Sequence, residues 1–178
     1  EFRLCACEGV IGGVRAVVEV CLFNLSPCDM LLAIHNAPRI EGGTVAAIPG
    51  IRTAAGAFFD ITITGKGAHG AFPDQGVDPV LVASELVVAA QSIISRNMRP
   101  TQTAALSITQ IHAGDAYNAH LGGWKLSGTV RILHYKSMQK IKRRVNALVT
   151  RISMAHGASG KVDLRVNVHA LHKEQMDN

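Results

Sequence analysis

The sequence predicts an α+β fold, namely a ferredoxin-like βαββαβ domain with a four-stranded antiparallel sheet and two helices on one face. Three observations predict it. Four segments alternate between apolar and polar residues as half-buried strands do, two segments have apolar residues at helical spacing, and glycine- or proline-rich turns separate them. The order along the chain is strand, helix, strand, strand, helix, strand, which is the split βαβ arrangement.

The first strand and the first helix flank a glycine-rich loop. Residues 58–64 alternate around apolar side chains and predict a half-buried strand. Asp78 and Pro79 predict a helix start, with Asp78 as the N-cap and Pro79 in the first turn. The helix is expected to run to about Arg96, because Pro100 lies just beyond it. Its apolar stripe consists of Val82, Leu86, Ala89 and Ile93.

The second half of the pattern contains two strands, a helix and a last strand. The strands are predicted at Ala104–Ile111, Lys125–Leu133 and Val162–Val168. Ser137 is predicted to cap the second helix, and Gly157 to terminate it. The apolar stripe of this helix consists of Ile141, Val145, Leu148, Ile152 and Ala155.

Residues 1–53 have less regular patterning than the rest of the chain. The elements predicted there are a short strand at Phe2–Cys7, a helix over Val14–Leu22 and two apolar runs of strand length at Met30–Ile34 and Thr44–Ile48. These short elements do not make a complete domain by themselves.

The composition is that of a globular protein, with 48% hydrophobic and 17% charged residues. No apolar run is recognised of the roughly 18 residues that a membrane span needs, and no start resembling a signal peptide is recognised. A cytoplasmic location is therefore expected. The four cysteines lack the spacing of a zinc site, so free thiols are expected.

The net charge of +5 is modest, and much of the basic charge lies in one predicted helix. The basic residues there are Lys136, Lys140, Lys142, Arg143, Arg144 and Arg151. No aromatic residues interleave with them, as base-stacking surfaces require, so a solvated helix face is favoured over a nucleic-acid surface.

A loop at Gly65–Pro73 carries His69 between three glycines and a proline. A histidine on such a loop is placed to reach a group outside its own domain. The other interpretation is a surface histidine without a role, and the loop alone does not decide between them.

Several motifs carry a resemblance to a known family. They are Ile34-His35-Asn36-Ala37-Pro38, the His69 loop with Val77-Asp78-Pro79, Ser95-Arg96-Asn97, Gln110–Asn118 and Ser127-Gly128-Thr129-Val130-Arg131. In this order they resemble the lid-domain signature of the aminoacylase, hippurate hydrolase and auxin-conjugate hydrolase group of metallopeptidases. The resemblance extends to about residue 165.

The resemblance implies a metal-dependent amidohydrolase that cleaves N-acyl amino acids and forms a homodimer through its lid domain. In such enzymes two divalent metals, zinc or manganese, activate the attacking water, a glutamate acts as general base, and a lid histidine of the partner subunit polarises the scissile carbonyl. Carried over to this chain, Glu8 matches the base and His69 the lid histidine. Asn118 and Arg131 match polar substrate-binding positions, and His35 matches a metal ligand.

The chain also departs from the family pattern. Gly9 occupies the position of a bridging glutamate, and a glycine cannot ligate a metal. The family's other metal ligands match no residues of this chain, so His35 is expected to be vestigial and no metal is expected. Asp74 stands where the family has a second loop histidine, and Ala119 replaces a proline.

The resemblance divides the chain into a partial catalytic-domain remnant at residues 1–53, a lid and dimerisation domain at 54–170, and a tail at 171–178. Three hypotheses follow. The chain is a lid fragment that is inactive alone, or it is a hydrolase completed by another chain, or it is a stand-alone ferredoxin-like module that binds a partner. Only the third predicts binding that weakens steeply with salt.

Overall fold

The computed structural model describes residues 38–46, 50–114, 116–120, 123–168 and 171–173. The chain divides into two units, Glu1–Ala47 and Ile48–Asn178. In the first unit the described residues form two exposed turns, and residues 44–46 belong to no strand. The strand predicted at Thr44–Ile48 is therefore wrong for those three residues. The three elements predicted nearer the N-terminus lie outside the described residues.

The second unit contains eight strands and two α-helices among its described residues. They are β1 (Gly50–Thr53), β2 (Ala55–Thr64), β3 (Ala68–His69), α1 (Pro79–Asn97), β4 (Ala104–His112), β5 (Ala119–His120), β6 (Gly123–Ile132), α2 (Tyr135–Ala155), β7 (Ser159–Val168) and β8 (Leu171–Lys173). A 3₁₀ turn at Pro73–Gln75 lies between β3 and α1.

The main sheet has the order β4-β6-β2-β7, and all its strands are antiparallel. This confirms the predicted ferredoxin-like arrangement of four strands and two helices. Two small ribbons accompany it, one pairing β1 with β8 and the other pairing β3 with β5. The first ribbon was not predicted, because strands of four and three residues leave too little alternation to be recognised. It places residues 171–173, predicted as tail, in a strand.

The core lies between the two helices and one face of the sheet. On β2 the residues at alternate positions are buried, including Phe59, Ile61 and Ile63. On β6 the buried set includes Trp124 and Leu126. α1 packs mainly on β4 and β6, whereas α2 packs mainly on β7. The intervening residues of the strands form an opposite face that no described helix covers, and we call it the open face.

Helix α1 begins as the sequence predicts. The Asp78 carboxylate accepts hydrogen bonds from the backbone N–H groups of Val80 (2.8 Å) and Leu81 (3.2 Å), and Pro79 occupies the first turn. Ala90 is buried, and Ala89 of the predicted stripe is only half-buried.

By length and hydropathy, α1 is the one helix within the described ranges that could cross a membrane, which the sequence reading did not foresee. Its buried side chains pack on the sheet, as in a core helix. Its exposed residues nevertheless include the apolar side chains of Val80, Leu81 and Val88.

Helix α2 begins two residues before the predicted cap. Its N-cap is His134, and Ser137 lies inside the first turn, where its hydroxyl is buried without a hydrogen-bond partner among the described residues. The predicted Ser137 cap is therefore wrong. The buried stripe follows from the true start and consists of Ser137, Met138, Ile141, Val145, Val149 and Ser153. Ala155, predicted in the stripe, is exposed, and the chain turns at Gly157, whose φ is +73°.

Lys140 of α2 makes a hydrogen bond to the C-terminal end of α1. Its Nζ donates a hydrogen bond to the carbonyl oxygen of Asn97, the last residue of α1. This carbonyl has no partner within its own helix, and a cation at a helix C-terminus is favourable. We expect Lys140→Ala to lower the free energy of unfolding by about 1 kcal/mol. Lys142→Ala is the matched control, because Lys142 is exposed and does not reach the end of α1. Equal effects in urea unfolding would contradict this role.

Candidate functional site

The His69 loop is held in place by backbone hydrogen bonds. In the β3–β5 ribbon, His69 pairs with Ala119, and the N–H of Gly70 donates to the carbonyl oxygen of Asn118 at 2.8 Å. The N–H of Val77 donates to the carbonyl oxygen of Lys66 at 2.9 Å and closes the loop at its base. The ribbon thus brings together two of the residues that the resemblance singled out, His69 and Asn118.

The His69 ring has a defined hydrogen bond on one nitrogen. The N–H of Ala71 donates to Nδ1 at 3.1 Å, and the Phe72 ring lies 5.7 Å away between centroids. Because Nδ1 accepts, the neutral imidazole carries its proton on Nε2. Both His69 and Phe72 are exposed. The loop therefore presents an Nε2–H donor at the surface, and whether it reaches a group outside its own domain stays a prediction.

Arg131 lies on the open face of β6, near the end of the sheet opposite the His69 loop. It pairs with Gly56 of β2, whereas the end of β6 nearest the loop pairs with Thr64. The stretch of β6 from Gly123 to Arg131 spans roughly 25 Å at the rise of a β-strand. One chain therefore does not bring Arg131 to the same place as His69.

The Arg131 guanidinium is held against its own sheet. Its Nη1 donates to Thr129 Oγ1 at 2.5 Å and to the Val130 carbonyl oxygen at 3.1 Å. The guanidinium carbon lies 5.8 Å from the centre of the Phe58 ring. The contacts of Phe58 and Gly56 with Arg131 were not predicted from the sequence. For Thr129 a signal was available, since Thr129 and Arg131 are two apart on one strand and must share a face.

A charged network surrounds Asp60 on the same open face. Ser127 Oγ donates to Oδ1 at 2.6 Å, Arg165 Nη2 lies 2.5 Å from Oδ2, and Lys125 Nζ lies 3.4 Å from Oδ1. The Ser127 hydrogen bond, followed by Lys125 and Arg165, lowers the pKa of Asp60 below its usual value of 3.8, although burial acts in the opposite direction. This network could not be predicted from the sequence, because the partners of Asp60 lie far from it in the chain.

This network gives a pH-dependent prediction. A carboxylate whose folded-state pKa is depressed stabilises the fold above its unfolded pKa, and this contribution is lost as the pH falls through the folded-state pKa. We expect Asp60→Asn to reduce stability at pH 7 and to lose most of its difference from the wild type well below pH 3.8. The measurement is thermal unfolding between pH 2 and 7. Asp74→Asn, at an exposed site whose carboxylate forms no ion pair with the described residues, is the control, and parallel curves for wild type and Asp60→Asn would refute the assignment.

The remaining candidates, Glu8 and His35, lie outside the described residues. Within the described residues, no group of three or more His, Cys, Asp or Glu side chains could hold a metal ion. The part of the chain that the structure describes thus offers a hydrogen-bond donor on the His69 loop and a guanidinium on β6, and its residues do not fit a metal.

Comparison with known proteins identifies the fold family. Residues 52–156 match the family model of the M20 peptidase dimerisation domain, which is more than half of the chain. The chain belongs to the M20 peptidase family. The matched region begins in β1 and ends one residue beyond α2, so it contains β4, α1 and the His69 loop. In M20 terms this part is the lid.

Two curated relatives are deacetylases of N-acetyl amino acids. The chain is 34% identical over 163 residues to the N-acetyldiaminopimelate deacetylase of a Geobacillus species, covering 92% of this chain and 43% of that protein. It is 38% identical over 139 residues to the N-acetyl-L-cysteine deacetylase of Bacillus subtilis, covering 78% of this chain and 33% of that protein. The M20 chain thus spans less than half the length of these relatives.

Solved structures show the same fold. The YxeP protein of Bacillus subtilis, described as a dinuclear metal binding peptidase of the M20 family, superposes with a TM-score of 0.69 at 21% identity, covering 93% of this chain and 40% of that one. The aminobenzoyl-glutamate utilization protein of Klebsiella pneumoniae also gives 0.69, at 20% identity, with 96% and 41% covered. At this identity they establish the fold of the M20 lid alone.

Proposed function

We propose that this chain is the lid and dimerisation part of a metal-dependent amidohydrolase that hydrolyses N-acyl amino acids. The reaction adds water across the amide and releases a carboxylate and an amino acid. Two relatives that act on N-acetyl amino acids support the substrate class. The observation that carries the proposal is the separation of His69 and Arg131 at opposite ends of one sheet, because two lids are then needed to form one site.

The edge strands of the sheet indicate how two lids pair. The two outer strands are β4 and β7. On β7 three of the exposed residues are charged, namely Lys161, Asp163 and Arg165, and charges on an edge strand oppose pairing with another chain. The whole of β4 contains no Asp, Glu, Lys or Arg. A second copy of the chain is therefore expected at the β4 edge.

The helix beside β4 has a matching surface, which we call the outer stripe. It consists of exposed residues at helical spacing on α1, namely Leu81, Ser84, Val88, Gln91 and Ser95. The stripe is uncharged, and its central residue Val88 is 73% exposed. The other helix, α2, has six Lys or Arg residues and no acidic residue, so its outer face disfavours self-association. An uncharged helix stripe and an uncharged edge strand thus lie on the same side of the lid.

Pairing two β4 edges by a two-fold axis makes them antiparallel and extends the sheet to eight strands. The end of β4 nearest His69 then lies beside the opposite end of the partner's β4, where Ala105 pairs with Arg131 of its own sheet. The dimer therefore brings the His69 end of one lid toward the Arg131 end of the other. This arrangement supports the assignment of His69 to the site of the partner subunit.

Each side chain then has a chemical task. The Nε2–H of His69 would donate to the oxygen of the scissile carbonyl, where negative charge develops during attack by water. Asn118 would add a polar contact beside His69. Arg131 would pair with the carboxylate of the amino acid by a two-bond fork. Glu8 is proposed as the general base, as the family resemblance implies.

The family also implies two divalent metals, zinc or manganese, which supply an activated water when bound. In this chain Gly9 replaces one family ligand, and His35 is the single ligand that the resemblance recognises. We therefore propose that the 178-residue chain assayed alone does not hydrolyse N-acyl amino acids and acts as a lid. The protein is proposed to act in the cytoplasm.

The experiment combines three measurements on the purified chain. Sedimentation equilibrium is expected to give a dimer, metal analysis less than one bound ion per chain, and assays with N-acetyl amino acids no turnover. Stoichiometric zinc or manganese with turnover would overturn the inactive-lid proposal. A monomer at all concentrations that binds an anionic partner in a salt-sensitive way would favour a stand-alone binding module instead.

A further inference from the structure

Three neighbouring residues contact the Arg131 guanidinium and fix its orientation on the open face. Gly56 lies directly under the side chain: a Cβ at Gly56 would lie 3.0 Å from Nη1 and 3.3 Å from Cζ of Arg131. A side chain at Gly56 would thus push the guanidinium away from the sheet. The guanidinium of Arg131 therefore packs on the backbone of β2 at Gly56.

Phe58 and Thr129 make the other two contacts with the Arg131 guanidinium. The Phe58 ring faces the guanidinium carbon at 5.8 Å, within the range of a cation–π interaction. Thr129 Oγ1 accepts from Nη1 at 2.5 Å and lies 3.2 Å from the Ala57 carbonyl oxygen, to which it donates. The hydroxyl is therefore anchored to β2 while it holds Arg131. An exposed arginine loses much of its rotational freedom in such a setting.

The hydrogen bonds also select which edge of the guanidinium is available. Both bonds that it makes to described residues use Nη1. The Nε and Nη2 hydrogens point along the other edge and are parallel donors, which match the two oxygens of a carboxylate. A lysine cannot offer this fork.

We propose that Gly56, Phe58 and Thr129 are positioning residues that present the Nε–Nη2 edge of Arg131 to the carboxylate of an N-acyl amino acid. The inference rests on the proposed function for its ligand class. It adds that recognition of the carboxylate is preorganised by β2 and β6 of one lid, before a partner or a catalytic domain contributes. Arg131 is the binding residue, and the other three act through it.

The test uses the isotopically labelled 178-residue chain and the Nε–Hε NMR signal of Arg131. N-acetyl-L-alanine is titrated at constant ionic strength, and N-acetyl-L-alanine amide, which lacks the carboxylate, serves as the matched ligand. We expect the Arg131 signal to shift with the first compound and not with the second. Phe58→Leu and Thr129→Val are expected to raise the Kd about fivefold, as loss of a roughly 1 kcal/mol contact implies, and to increase the motion of the Nε–Hε bond.

The conservative variants Phe58→Tyr and Thr129→Ser, which keep the ring and the hydroxyl, are expected to retain the wild-type Kd. Backbone spectra and thermal unfolding show that each variant is folded, so a merely structural effect is separated from loss of positioning. An unchanged Kd and unchanged Arg131 motion in folded Phe58→Leu and Thr129→Val would overturn the proposal, as would a wild-type Arg131 that responds equally to the amide. Because Arg131 and its supports lie on one chain, this result is independent of whether the lid dimerises.

Discussion

Gly128→Ala is expected to destabilise this lid strongly. Gly128 lies in β6 between β4 and β2, and a Cβ there would overlap the Ser107 carbonyl oxygen and the Phe59 ring, whose Cε1 would be 2.9 Å away. Neither neighbour can move easily, since one is backbone and the other is a core side chain with 1% exposure. The expected loss is about 3 kcal/mol of unfolding free energy.

The measurement is urea unfolding, with thermal unfolding as a second readout, where the midpoint is expected to fall by about 10 °C. Gly123→Ala is the matched control, because it introduces the same methyl group in the same strand and a Cβ at Gly123 meets nothing within 4 Å. Equal stability of the two variants would show that the close packing of Phe59 on Gly128 is not a determinant of the fold.

Val88→Glu is expected to dissociate the proposed dimer. Val88 lies at the centre of the outer stripe of α1 and is 73% exposed within one chain, so the substitution should not disturb the core. In the dimer the glutamate would be buried in an uncharged interface without a cationic partner, which is strongly unfavourable. We expect the dimer Kd to rise at least about 100-fold, equivalent to about 2.7 kcal/mol.

The matched control is Met154→Glu, an exposed apolar residue of 68% exposure on α2, which lies away from the β4 edge. Sedimentation equilibrium of the two variants distinguishes the faces. If Val88→Glu remains a dimer with the wild-type Kd while Met154→Glu dissociates, the interface lies on the α2 side of the lid. This outcome would contradict the inference that the uncharged β4 edge pairs with a second copy.

The sequence was sufficient for the parts of the fold that local chemistry controls. Alternation around Phe59 and Ile61 predicted β2, and Asp78-Pro79 predicted the start of α1, because a cap and a helix-compatible proline act within one turn. The start of α2 was misplaced because Ser137, a good cap residue, is instead buried in the first turn of the helix. Packing overrode the local preference.

For the candidate site, the family resemblance identified His69, Asn118 and Arg131, and the loop sequence alone predicted that His69 is exposed. The support of Arg131 by Phe58 and Gly56 could not be predicted, because the register of β2 against β6 sets which residues meet from distant parts of the chain. The Asp60 network has the same origin, since its partners on β6 and β7 come from two different neighbouring strands.

The amino-acid sequence by itself determined the order of strands and helices and the chemistry of the exposed loop, since periodicity and turn residues act over a few positions. Only the tertiary structure decided that His69 and Arg131 lie at opposite ends of one sheet, that the uncharged β4 is an outer strand of the described sheet, and that Nη1 of Arg131 is already occupied. These properties depend on pairing between distant segments, and strand pairing is fixed by the packing of the whole core.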